Sequence, residues 1–211
     1  MENITALYRS LLPEDLHVAM GAIGRQYSAG LLSPAEREEY RQISHQRRRN
    51  EFLTTRGLIK ELVGEMGLDQ TVFEIQKDGF GKPFGIYSNA RYHLSLAHTS
   101  EKVVCGISPT LPVGVDIEPV GRTVAERLRR RILHDEERAL LADQPIVRIW
   151  TLKEAMVKLE GKGLRTNLNK LKLQVESDRL FTGFFADDKT AIICSLRHRN
   201  HWVAVAYYSR G

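Results

Sequence analysis

Thr110-Leu111-Pro112-Val113-Gly114-Val115-Asp116-Ile117-Glu118-Pro119 is the point at which the chain starts over. The apolar run of residues 102–108 ends at a threonine and a proline, and Val113 to Ile117 resumes as a new strand. Upstream the order is helical periodicity first and strands last. Downstream the same order recurs, although no strict internal repeat accompanies it. That organisation predicts an α+β fold of two similar subdomains, 1–110 and 111–211, each with helices packed on a small, mostly antiparallel sheet.

Working outward, residues 34–65 read as helical. Ser33 is the N-cap, Pro34 the first helical residue and Glu36 the third position of a capping box. A break is expected near Ile43-Ser44. Phe52, Leu53, Gly57, Leu58 and Leu62 then recur at helical spacing until Gly64 or Gly67 ends the run. Residues 71–76, 92–97 and 102–108 read as strands, and Asp78-Gly79-Phe80-Gly81-Lys82-Pro83 as a turn. Beyond Ile117, helices are expected over 123–133, 135–142 and 147–160, the last stopped by Gly161-Lys162-Gly163. Strands follow near 170–175, 180–185, 190–196 and 202–208. His198-Arg199-Asn200-His201 reads as a hairpin turn rather than a metal site.

Composition excludes several classes. With 42% hydrophobic and 27% charged residues, the 211-residue chain is neither collagen-like nor disordered. No apolar run approaches the ~18–20 residues that span a bilayer. Met1-Glu2-Asn3-Ile4 lacks the basic-then-apolar pattern of a secretory signal. The two cysteines, Cys105 and Cys194, sit in apolar stretches and read as buried thiols; together these features predict a cytoplasmic protein with no membrane association. The net charge of +5 comes wholly from residues 111–211, since 1–110 carry 13 basic and 13 acidic residues. A basic second half suits an acidic partner.

Asp116 and Glu118, two apart on a strand, point to one side, with Val115 and Ile117 on the other. Two convergent carboxylates repel unless a cation or proton lies between them. A hard divalent ion such as Mg²⁺ is one remedy, and it favours phosphate oxygens as further ligands. The plain alternative is an exposed acidic pair at a strand end. In the helix 147–160, Trp150, Glu154 and Lys158 follow at i, i+4 and i+8 and line one face, while Leu152, Met156 and Leu159 line another. Glu154 can complete a three-carboxylate site, and Lys158 can hold a phosphate. Alone, this stripe is equally a solvated face with one Glu–Lys pair.

Together the two segments are more specific. Gly114-Val115-Asp116-Ile117-Glu118, followed by Trp150-Thr151-Leu152-Lys153-Glu154-Ala155-Met156-Val157-Lys158-Leu159-Glu160-Gly161-Lys162-Gly163-Leu164, resembles the 4′-phosphopantetheinyl transferases. The likeness is to the long, single-chain branch serving carrier proteins of peptide, polyketide and siderophore synthesis. Arg48-Arg49-Asn50-Glu51-Phe52-Leu53-Thr54-Thr55-Arg56, Gly81-Lys82-Pro83 and Ala97-His98-Thr99 extend it upstream, with Ala97 where many members have serine.

The resemblance implies transfer of phosphopantetheine from coenzyme A to a serine of an apo carrier protein, releasing adenosine 3′,5′-bisphosphate. It implies Mg²⁺ or Mn²⁺ held by Asp116, Glu118 and Glu154, and catalysis by Glu154, Lys158 and Asp116. Arg48, Arg56, Lys82, Pro83, His98 and Lys158 would bind coenzyme A as substrate. Subdomain 1–110 would take its nucleotide, subdomain 111–211 would hold the metal and dock the carrier, and the active site would lie at their interface in a monomer. Arg127, Arg129, Arg130 and Arg131, with Leu128, Ile132 and Leu133, offer a basic helix with apolar anchors to an acidic carrier. Two rivals are a Mg²⁺-dependent phosphohydrolase acting on a nucleotide pyrophosphate with the same carboxylates, and a basic nucleic-acid-binding module. Against the latter, aromatic content is 8% and no nucleic-acid-binding signature is present. No G-x-S-x-G or P-loop pattern occurs.

Overall fold

A computed structural model describes residues 1–162 and 166–209, without the side chains of Glu126 and Arg127. Gly163 and Leu164, the end of the second motif, and the Arg127 side chain lie outside the described residues. The chain forms two compact units, Met1–Thr110 and Leu111–Gly211.

The first unit opens with β1 (Glu2–Asn3), α1 (Thr5–Tyr8) and β2 (His17–Ala22). Two helices follow, α2 (Pro34–Gln42) and α3 (Gln46–Glu65). The expected capping box forms in full: Ser33 Oγ accepts from the Glu36 N–H, and Glu36 accepts from the Ser33 N–H. The break falls at Ile43–His45, as expected. Then come β3 (Glu74–Lys77), β4 (Pro83–Tyr87), β5 (Ala90–His98) and β6 (Lys102–Ser108). All pairings are antiparallel, in the order β1-β2-β6-β5-β4-β3. Leu58, Ile59, Leu62 and Val63 of α3 pack on Ala19, Leu94, Cys105 and Ile107 of the sheet.

The second unit comprises β7 (Val113–Pro119), α4 (Glu126–Ile132), α5 (Glu137–Leu140), α6 (Ile146–Glu160) and the strands β8 (Lys172–Val175), β9 (Leu180–Phe184), β10 (Thr190–His198) and β11 (His201–Tyr208). Its antiparallel sheet runs β7-β11-β10-β9-β8. The expected helix 135–142 shrinks to the single turn α5. Arg199 and Asn200, both at positive φ, make the β10–β11 turn that the sequence suggested. Ile149, Leu152, Ala155, Met156 and Leu159 of α6 pack on Phe181, Ile193, Ala204 and Ala206.

Gly114 explains how α6 lies so close to β7. A Cβ there would stand 2.0 Å from the Ala155 carbonyl oxygen and 2.5 Å from the Leu159 nitrogen, both backbone atoms that cannot give way. Backbone contact at Gly114 brings the next residues on the same strand face, Asp116 and Glu118, beside the turns of α6 that carry Glu154 and Lys158. At the other end of α6, Gly161 takes the left-handed conformation (φ 78°) and its N–H closes on the Val157 carbonyl.

Candidate active site

β7 and α6 bring four of the expected residues together. Asp116 is 6% exposed, and its Oδ1 accepts from Lys158 Nζ at 2.7 Å. Its Oδ2 is buried and makes no hydrogen bond. Glu118, half-buried, accepts from Arg122 Nη1. The Arg122 guanidinium lies 5.1 Å from the centroid of the Trp150 ring. Glu154 is half-buried and lines a cleft of about 470 Å³ with Trp150, Arg130, Arg131, Asn167 and Asn169.

The electrostatics follow from this crowding. Burial pushes the Asp116 carboxyl up, against the pull of Lys158. Burial also raises Glu118, opposed by Arg122 and reinforced by Asp116. Glu154 is raised by burial first and then by the charge of Asp116, with Lys158 opposing. The three carboxylates therefore feel one another, the condition that a divalent cation relieves. In the present side-chain arrangement, no three His, Cys, Asp or Glu side chains among the described residues form a ligand set. The donor set nonetheless suits a hard ion: all oxygen, and with one buried carboxylate oxygen, Asp116 Oδ2, left without a partner.

Lys153, next to Glu154 in sequence, does different work that the sequence reading missed. It is 0% exposed. Its Nζ donates to Glu137 Oε2 at 2.5 Å and to the carbonyls of Ile132 (2.8 Å), Leu171 (2.7 Å) and Leu168 (3.2 Å). Glu137 Oε1 accepts from the Leu173 N–H and Oε2 from the His134 N–H. One buried ion pair thus ties α4, α5 and the 168–173 segment to α6, fixing walls of the cleft. The available signal was position: Lys153 is one helical turn from Ile149, on the apolar side of α6. Arg122 was also missed, because a lone arginine after a strand carries no sequence signal.

In the first unit the expected nucleotide-binding residues separate. Arg48 is exposed near the start of α3. Arg56, eight residues on, does not share its exposure. It is 5% exposed, its Nε stands 2.9 Å from Glu36 Oε1, and its guanidinium covers the Phe52 ring at 4.5 Å. Eight residues turn a helix about 80° beyond two full turns, enough to put Arg48 in water and Arg56 in the interior. Lys82 is half-buried after the left-handed Gly81 (φ 84°), and burial lowers its pKa to about 8. Pro83 starts β4 opposite Lys77. His98 is exposed at the end of β5, its Nδ1 3.3 Å from the Thr99 carbonyl, while Ala97 beside it is buried.

A two-unit α+β protein whose second unit sets one buried and two half-buried carboxylates near a lysine and an arginine is thereby defined. Residues 112–206, which hold β7, α6 and that whole cluster, match the family model of the 4′-phosphopantetheinyl transferase superfamily. Curated relatives agree. The chain is 34% identical over 134 residues to 4′-phosphopantetheinyl transferase psf-1 of Bacillus pumilus, covering 57% of this chain and 54% of that protein. It is 25% identical over 154 residues to 4′-phosphopantetheinyl transferase Sfp of Bacillus subtilis, covering 70% and 68%. It is 25% identical over 135 residues to 4′-phosphopantetheinyl transferase gsp of Aneurinibacillus migulanus, covering 56% and 55%. The match thus spans little more than half the length of the first of these relatives. Residues 112–206 are thus similar to the 4′-phosphopantetheinyl transferase superfamily, and the chain resembles curated 4′-phosphopantetheinyl transferases over part of its length.

Proposed function

We propose that this protein transfers the phosphopantetheine arm of coenzyme A to a serine hydroxyl of an acidic apo carrier protein and releases adenosine 3′,5′-bisphosphate. The observation that carries the reading is the meeting of Asp116, Glu118, Glu154 and Lys158 at one place in the segment that matches the family.

Asp116, Glu118 and Glu154 would hold Mg²⁺ or Mn²⁺, an ion that supplies charge neutralisation at the pyrophosphate oxygens. Glu154, made more basic by burial and by Asp116, takes the serine proton. Lys158 offers its ammonium to the transferring phosphoryl group, while contact with Asp116 fixes its position. Arg48, Lys82, Pro83 and His98 are the proposed contacts for the nucleotide of coenzyme A. Arg56 contributes instead by holding α2 to α3. Arg129, Arg130 and Arg131 of α4, with Leu128, form the carrier-docking surface, whereas Ile132 and Leu133, expected as apolar anchors, are buried in the core of the second unit and cannot serve. Reversing Arg129 and Arg130 to Glu should raise the carrier KM and leave the coenzyme A KM unchanged; an unaltered carrier KM would remove that surface from the account. We place the protein in the cytoplasm as a monomer, on its two units in one chain and its two buried free thiols. No helix among the described residues is long and apolar enough to cross a membrane.

Incubation with coenzyme A, Mg²⁺ and an apo carrier tests the reaction. A carrier heavier by one phosphopantetheine arm, with adenosine 3′,5′-bisphosphate released, is expected. Unmodified carrier and free inorganic phosphate would favour a phosphohydrolase instead.

A further inference from the structure

We infer that Arg122 and a divalent cation compete for Glu118, which makes Arg122 a positioning residue that sets how readily this site takes up its ion. The inference rests on the metal-dependent reading above. Arg122 lies four residues beyond Glu118, just past the end of β7, and its Nη1 donates to Glu118 Oε1. Its charge reaches all three carboxylates of the cluster. With Lys158 on Asp116, two of those three are each engaged by a cation from the chain itself. That engagement accounts for the side-chain arrangement, in which no three acidic groups among the described residues form a ligand set.

An ion that draws Glu118 toward Asp116 and Glu154 must take that carboxylate from Arg122, because a guanidinium and a divalent ion on one carboxylate repel. The exchange is easy on the arginine side. Its side chain is 37% exposed, and the Trp150 ring at 5.1 Å gives the released guanidinium an aromatic face to rest on. The chain thus carries its own placeholder for part of the ion's charge. The placeholder keeps the clustered carboxylates from repelling one another and lowers affinity for the ion that replaces it.

Titration calorimetry with Mn²⁺, without coenzyme A or carrier, tests this on the whole chain. Arg122→Gln should bind Mn²⁺ about two- to fivefold more tightly than the unmodified protein, the range expected for removing a partly exposed ion pair. Arg122→Lys, which keeps the charge, should stay close to the unmodified protein. In a Glu118→Gln background, Arg122→Gln should no longer tighten binding. Circular dichroism confirms folding; should Arg122→Gln fail it, Arg122→Met, with an apolar stem against Trp150, carries the same expectation. Equal or weaker Mn²⁺ binding by the charge-removing variant, or no binding by either protein, overturns the inference. Tightened binding by a chain that modifies no carrier would sustain it and remove the proposed reaction instead.

Discussion

Two lysines five residues apart on α6 have opposite fates. Lys153 is sealed in the interior, with a carboxylate and three carbonyls around its ammonium. Lys158 lies at the edge of the acidic cluster, 30% exposed, with Asp116 Oδ1 as its anion and Asp116 Oδ2 left unbonded beside it. Where every donor and acceptor is used, the charge is structural: moving any member costs the whole set. Where a buried oxygen is left over, the site has room for something the chain does not supply.

The sharpest way to break this contrast is Lys153→Met. It leaves Glu137 as a buried carboxylate without a cation and should destabilise the fold by about 3–5 kcal/mol, read by urea denaturation. Adding Glu137→Leu should return most of that loss, because an apolar pair of similar volume replaces the ion pair. A loss no larger than that of a surface lysine would show that the pair does not hold the cleft walls.

Lys158→Met should behave in the reverse way. Stability should fall by about 1–3 kcal/mol, less than for Lys153, since Asp116 loses its cation in a buried position but the lysine itself is partly solvated. The transfer rate should fall about 10²- to 10³-fold, as for loss of one group aimed at developing charge. A large stability loss with unchanged kcat would place Lys158 with Lys153 and remove the distinction.

A third lysine extends the comparison to the first unit at smaller scale. Burial lowers Lys82 to about pH 8, whereas a lysine in the unfolded chain titrates near ~10.4. Between those values the unfolded chain holds more protons, so this residue adds stability as pH rises through that window. A phosphate bound at Lys82 favours the protonated form, so coenzyme A binding at pH 8.5 should take up protons. Calorimetry in two buffers of different ionisation heat measures this, and Lys82→Gln should abolish the uptake. Identical uptake in the variant would take Lys82 out of the binding site.

What was legible in the sequence was local. The capping box at Ser33, the break between α2 and α3 and the stripe of α6 are written in neighbouring residues, and all appear; β7 is a strand as expected, but it is buried on both faces from Val113 to Ile117. Strand and helix periods put Asp116 and Glu118 on one face and Trp150, Glu154 and Lys158 on another, and the family resemblance implied that the two faces meet. What escaped depends on distant partners. β2 is a short strand whose partner, β6, lies far along the chain. β4 starts at Pro83 and read as the tail of a turn, since proline is tolerated at the first position of a strand. Expected strand 71–76 starts later, at Glu74, because Asp69 Oδ1 accepts from the Thr71 N–H and holds that stretch as a turn. The burial of Arg56 was not legible because only the docking of α2 brings Glu36 to it. Lys153 needed Glu137, which sits on a single-turn helix with almost no periodicity of its own.

The most direct test is the intact mass of an apo carrier after treatment with coenzyme A, Mg²⁺ and either the unmodified protein or Glu154→Gln, at equal folded concentration. The account predicts a carrier heavier by one phosphopantetheine arm in the first case and an almost unmodified carrier in the second. Equal modification by both, or none by the unmodified protein, would contradict it.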